Sequence, residues 1–86
     1  MSIDEHRIEQ SLRTYLLANF YVGNHESLTS DTPLLTSGIL DSISALQMVD
    51  FIEESYGIEF EAHEVDEENL RSIKTIADFI RAKIKV

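Results

Sequence analysis

Ser37-Gly38-Ile39-Leu40-Asp41-Ser42-Ile43-Ser44-Ala45-Leu46 is the stretch around which this chain is organised. It passes from a glycine-containing loop into the first turn of a strongly amphipathic helix, and the Ser42 hydroxyl stands at the junction. The first backbone N–H groups of a helix have no partner within it, and the aligned peptide dipoles leave that end positive. A phosphate ester on Ser42 is therefore electrostatically welcome. Gly38 suits a positive φ that turns the chain sharply into the helix.

Downstream, the spacing predicts a helix over residues 42–56. Ile43, Leu46, Val49 and Ile52 recur as one core stripe, which Phe51 and Tyr56 widen. Met48, near the boundary of the two faces, is expected in the core, the alternative being an adaptable docking surface. Asp50, Glu53 and Glu54 lie mostly off the stripe, and Gly57 stops the helix as a C′ glycine does. Residues 58–61 alternate like a strand but have no strand to pair with, so they read as extended loop. Asp66 is expected to cap a short helix over residues 67–71. Thr75 and Asp78 mark the start of a last helix that carries Ile76, Phe79, Ile80 and Ile84 on one face and ends in Lys83 and Lys85.

Upstream, residues 23–41 form a long connection rich in Ser, Thr, Asn and Asp and containing the only Pro. A segment of that length must be tied down. Leu28, Pro33, Leu34, Leu35, Ile39 and Leu40 are the expected anchors, with residues 31–35 forming a single turn. Before it, Ser2-Ile3-Asp4-Glu5 fits a capping box. Ile8, Leu12, Tyr15 and Leu16 then share a helical face to about Asn19, and Phe20, Tyr21 and Val22 end the helix and cover the core. The fold expected is all-α: a small bundle of three long helices and one short third helix, with a long loop between helices one and two and a single domain over residues 1–86.

Charge is distributed unevenly. Residues 14–70 hold twelve acids and no Lys or Arg, whereas residues 71–86 hold five bases against one acid. A nucleic-acid backbone needs a basic face, so the acidic middle disfavours such a partner and favours basic protein surfaces, which a field of this sign steers. Cysteine is absent, which suits a reducing compartment and rules out disulfides and thiolate metal sites. The first 19 residues carry acids where a signal peptide is basic, and no apolar run reaches the roughly 18 residues of a membrane span. A cytoplasmic monomer without a membrane partner is expected. His6, His25 and His63 show no spacing for ligation or a triad, no calcium-loop pattern occurs, and Ser42 does not lie in a Gly-x-Ser-x-Gly elbow. Neither a metal site nor enzymatic catalysis is expected.

The run Asp31-Thr32-Pro33-Leu34-Leu35-x-x-Gly38-Ile39-Leu40-Asp41-Ser42-Ile43, followed by an acidic helix ending Tyr56-Gly57-Ile58, resembles the core of acyl and peptidyl carrier proteins. Their attachment motif is Asp-Ser-Leu, here Asp41-Ser42-Ile43. The resemblance implies 4′-phosphopantetheine attached covalently to Ser42, with Asp41 as its motif neighbour, and a carrier that holds cargo as a thioester without catalysing anything itself. It implies a phosphopantetheinyl transferase, an adenylate-forming amino-acid or acyl ligase and a downstream transferase or synthase as partners. It further implies docking through helix two and the loop before it, on Ile39, Ile43, Met48, Asp50, Glu53 and Glu54. Gln47 stands where fatty-acid carriers commonly have an acid, and residues 57–73 are longer than in compact fatty-acid carriers. Gly38-Ile39-Leu40-Asp41-Ser42 looks most like discrete peptidyl or aminoacyl carriers, and the resemblance favours aminoacyl or peptidyl cargo over fatty or polyketide cargo. The competing reading is a non-carrier acidic helical adaptor for a basic protein, in which Asp41-Ser42 is only a helix N-cap.

Overall fold

The computed structural model describes residues 4–20 and 23–84, and among them it is all-helical, with three α-helices and no strand. Helix α1, Glu5–Asn19, begins at Asp4, whose side chain accepts from the His6 N–H at 3.2 Å. The cap is therefore Asp4 rather than Ser2, which lies outside the described residues together with Tyr21, Val22 and Lys85. Ile8, Leu12 and Leu16 are buried on its inner face, and Phe20 closes it by donating its N–H to the Leu16 carbonyl at 3.0 Å.

Helix α2, Ser42–Tyr56, has the predicted bounds, set by Asp41 at one end and by Gly57 at φ 65° at the other. Its inner face differs from the expected stripe. Ala45, Met48, Val49 and Ile52 are buried, while Ile43 is 70% and Leu46 55% exposed. The i, i+3, i+4, i+7 set beginning at Ala45 stays apolar along the helix. The set beginning at Ile43 runs into Asp50, Glu53 and Glu54, and the longer apolar stripe takes the core. Phe51 at the edge stacks on Tyr15 of α1 at 4.1 Å between ring centroids.

Helix α3, Ile73–Ile84, packs against α1 and buries Ile73, Ile76, Ala77 and Ile80. Its cap is Ser72, whose Oγ accepts from the Thr75 N–H at 3.2 Å, and not Thr75 itself. The expected short third helix is a single hydrogen-bonded turn. Asp66 does accept from the Asn69 N–H at 2.8 Å, but Leu70 then turns into the core and the Arg71 carbonyl leaves helical pairing to bond Leu34. A 3₁₀ turn, Ala62–Glu64, precedes it, and residues 58–61 are extended loop as expected.

The connection between α1 and α2 is held at many points. Leu28, Leu34 and Leu40 are buried and Leu35 and Ile39 pack partly against the core. Pro33, expected among these anchors, is exposed, and the single turn lies at residues 34–38 instead of 31–35. Arg13 of α1 donates from Nη2 to the His25 carbonyl at 2.8 Å and from Nε to the Leu28 carbonyl at 3.2 Å. Two backbone bonds tie the loop to the start of α3, Leu34 N–H to Arg71 O at 2.9 Å and Lys74 N–H to Ser30 O at 3.0 Å. Such pairing satisfies backbone groups that a buried loop would otherwise leave orphaned.

At the other end of the α1–α3 seam, Glu5 Oε2 lies 3.7 Å from Arg81, while Oε1 is buried without a hydrogen-bond partner among the described residues. The Asp78 carboxylate within hydrogen-bond reach, and burial, raise the Glu5 carboxyl above its ordinary value despite Arg81 and Lys74. An acid raised in this way supports the fold most when protonated, and that support is lost as the pH rises through its folded value. Glu5→Gln supplies the missing donor at any pH. It is expected to raise the melting temperature at pH 7 and to match the parent below the ordinary glutamate range; a less stable variant at pH 7 would show that the Arg81 pair dominates instead.

Candidate functional site

Ser42 is the first residue of α2 and is exposed. The capping work around it is done by its neighbours. The Asp41 carboxylate accepts from the Ser44 N–H at 2.8 Å and from the Ser44 hydroxyl at 2.9 Å, and the Asp41 N–H donates to Ser44 Oγ at 2.8 Å. This reciprocal box fixes the helix start without drawing on Ser42. Of the pair Asp41-Ser42 that the adaptor reading takes as an N-cap, only Asp41 does the capping.

Electrostatics at the junction follow from the same contacts. The Ser44 backbone N–H, and then its hydroxyl, hold the Asp41 carboxyl below the usual carboxylate range. Its support for the helix is thus present above that range and lost as the pH falls through the lowered value. A carboxylate so engaged is a poor base. The first intrahelical bond runs from the Ala45 N–H to the Asp41 carbonyl at 2.8 Å. The backbone N–H groups before it give this end of α2 its positive character, which favours a phosphate beside Ser42. An exposed hydroxyl with no structural duty, at the positive end of a rigid helix, fits a phosphodiester-linked group.

The other expected residues spread over one face of α2 and the loop before it. Ile43, Asp50 and Glu54 are exposed, Ile39 is half-buried, and all are reachable from solvent. Met48 is completely buried, so it offers nothing to a partner and belongs to the core. Glu53 is half-buried and accepts from the Phe60 N–H at 2.7 Å, which ties the loop after α2 back onto the helix. Leu46 is the residue that sequence reasoning missed: it is exposed one turn from Ile43, on the helical face that continues into Asp50 and Glu53.

Away from α2, Glu61, His63 and Glu64 each bring one ligand atom to within 4.8 Å of the others. The Glu64 carboxylate already accepts from the Glu61 N–H at 2.9 Å and pairs with Lys83 at 2.7 Å, and these contacts hold its carboxyl low. The Lys83 ammonium already neutralises Glu64, so the cluster reads as an ion pair that fastens the 3₁₀ turn to α3. No helix among the described residues is long and apolar enough to cross a membrane.

Residues 10–80 match the family model described as phosphopantetheine attachment site. A search of curated proteins finds no match.

Proposed function

The chain belongs to the phosphopantetheine attachment site family, and on that premise we propose that Ser42 is the attachment residue and that residues 1–86 act as one carrier domain. Members of the family are carriers and not enzymes. They hold cargo on covalently bound 4′-phosphopantetheine, loaded by a phosphopantetheinyl transferase and worked on by acyl-processing partners. The observation that carries the assignment to Ser42 is the division of labour at the start of α2: Asp41 and Ser44 cap the helix and leave the Ser42 hydroxyl exposed. When bound, the group supplies a thiol on a flexible arm, and tethering of this kind raises the local concentration of cargo at each partner.

The chain's own residues present the hydroxyl and leave the proton transfer to others. Loading forms a bond between Ser42 Oγ and the pantetheine-side phosphorus of coenzyme A, breaks that phosphorus's bridging P–O bond, and releases adenosine 3′,5′-bisphosphate. Asp41, the adjacent acid, is held by two Ser44 donors, so the departing proton goes to a base that the transferase brings. Docking is assigned to Ile39, Ile43 and Leu46 as apolar contacts, with Asp50 and Glu54 as flanking charges. Met48 is excluded by its burial, and Glu53 acts partly through Phe60.

For cargo we favour an aminoacyl or peptidyl group activated as its adenylate, supported by the likeness of residues 38–42 to peptidyl and aminoacyl carriers and by the uncharged Gln47. A cytoplasmic setting suits the cysteine-free composition. The test is to load the protein with coenzyme A and a transferase, then offer adenylate-forming ligases for amino acids and for fatty acids. A hydroxylamine-labile amino acid on the arm is the expected product. Loading by fatty-acid ligases alone would overturn the cargo assignment while leaving the carrier reading in place.

A further inference from the structure

A shallow groove opens beside Ser42, bounded by the end of α1, the loop before α2 and the first two turns of α2. Phe20, Ile39 and Ile43 give it apolar walls, and Asn19 and Gln47 add two side-chain amides. Asp41 and Ile43, the residues on either side of Ser42 in the chain, both line it, so its mouth is one residue from the proposed anchor. Asp41 is its only acid, and that carboxylate is turned to Ser44. In a chain of formal charge −9 this is a patch whose one charge is the Asp41 carboxylate, within an acidic surface.

Amide positions in the groove are partly set. Asn19 spends an Nδ2 hydrogen on the Tyr15 carbonyl at 2.9 Å, an orientation that leaves its Oδ1 as an acceptor. Gln47 is exposed on α2, four residues from Ile43 and hence on the same side of the helix. Its backbone carbonyl accepts from the Tyr15 hydroxyl at 3.3 Å, which couples this turn of α2 to α1. A primary amide both donates and accepts, and it suits a secondary amide as partner.

Beyond its phosphate, the pantetheine arm is neutral, with a geminal dimethyl group followed by two secondary amides. We propose that this groove is a resting site for the arm, with Phe20, Ile39 and Ile43 against the dimethyl group and Asn19 and Gln47 on the amides. The inference rests on Ser42 as the attachment residue. It gives the uncharged Gln47 a function, since a carboxylate there would offer acceptors only and extend the acidic face into the groove. The groove is open and shallow, so a partner can draw the arm out.

The experiment compares apo and holo protein, labelled with ¹⁵N and ¹³C, after peptide mass spectrometry has located the arm. With the arm on Ser42, contacts are expected between its methyl protons and the side chains of Ile39 and Ile43, with shifts of the Asn19 and Gln47 side-chain amide signals. Gln47→Glu and Gln47→Ala should lose these contacts, whereas Ser55→Ala, exposed further along α2, should keep them. An arm on Ser42 whose effects stop at residues 41–43, or which contacts α3 instead, overturns the resting site and leaves the attachment assignment standing. Absence of the arm from Ser42 overturns both.

Discussion

Ser42→Ala is expected to abolish loading by a phosphopantetheinyl transferase while leaving the melting temperature almost unchanged. The first half follows from chemistry, since alanine has no oxygen to form the phosphodiester. The second follows from the capping geometry. The side-chain bonds at the start of α2 all join Asp41 and Ser44, and Ser42 is exposed. Alanine is also the strongest helix former, so the change should fall within about 0.5 kcal/mol of neutral. Intact-mass measurement after incubation with coenzyme A and transferase reads the loading, and thermal unfolding reads the fold. Retained loading on the variant would move the site, with Ser44 the first alternative to examine. Ser44→Ala makes the useful contrast, because it removes a donor and an acceptor from the Asp41 box and should lower the melting temperature without removing the proposed attachment oxygen. The pair separates chemical from structural loss, which a single serine substitution cannot do.

The contrast also marks where the sequence was legible. The Asp41-Ser42 pair and Gly57 marked the two ends of α2, because an N-cap side chain and a left-handed glycine act locally and their signals survive in any tertiary setting. The rotation of α2 about its axis was not local. Two apolar stripes compete on that helix, and the one from Ala45 wins because it stays apolar through Ile52 where the other meets acids. The same competition exposes Ile43 and Leu46 beside the candidate site, so the error about the core and the omission of Leu46 have one cause. Following both stripes to the end of the helix would have resolved them.

Elsewhere long-range bonds outweighed local propensity. Asp66 supplies a genuine cap, yet the segment after it stops at one turn. Leu70 is drawn into the core, and the Arg71 carbonyl is committed to Leu34, 37 positions earlier in the chain. Ser72 and Thr75 are two hydroxyls three residues apart, either of which can be read as a cap. Their own contact at 3.0 Å shows that both take part in the same N-terminal turn of α3. A local pattern could locate this start only to within one turn.

Leu34→Ala should be the most damaging change in the loop. Leu34 is fully buried, its N–H reaches Arg71 at 2.9 Å, and its carbonyl accepts from the Leu40 N–H at 2.9 Å. The backbone bonds survive the substitution, but the side chain that seats them is lost. Leucine-to-alanine truncations in cores cost about 2–5 kcal/mol, which is a large share of the roughly 5–15 kcal/mol that stabilises a domain. The denaturant midpoint should fall with an unchanged slope, the signature of lost stability without a change in the surface exposed on unfolding. Pro33→Ala is the comparison, since Pro33 is exposed. Because Leu40 leads directly into the Asp41 cap, loosening Leu34 should also raise amide exchange at Leu40 and slow loading of Ser42 at temperatures where the variant remains folded. Equal midpoints for the Leu34 and Pro33 variants would mean that the loop is held by its backbone bonds and the Arg13 fork alone. A lowered midpoint with an unchanged loading rate would mean that α2 presents Ser42 without help from the loop. Only the loss of both together makes Leu34 the residue that joins the stability of the bundle to the presentation of its hydroxyl.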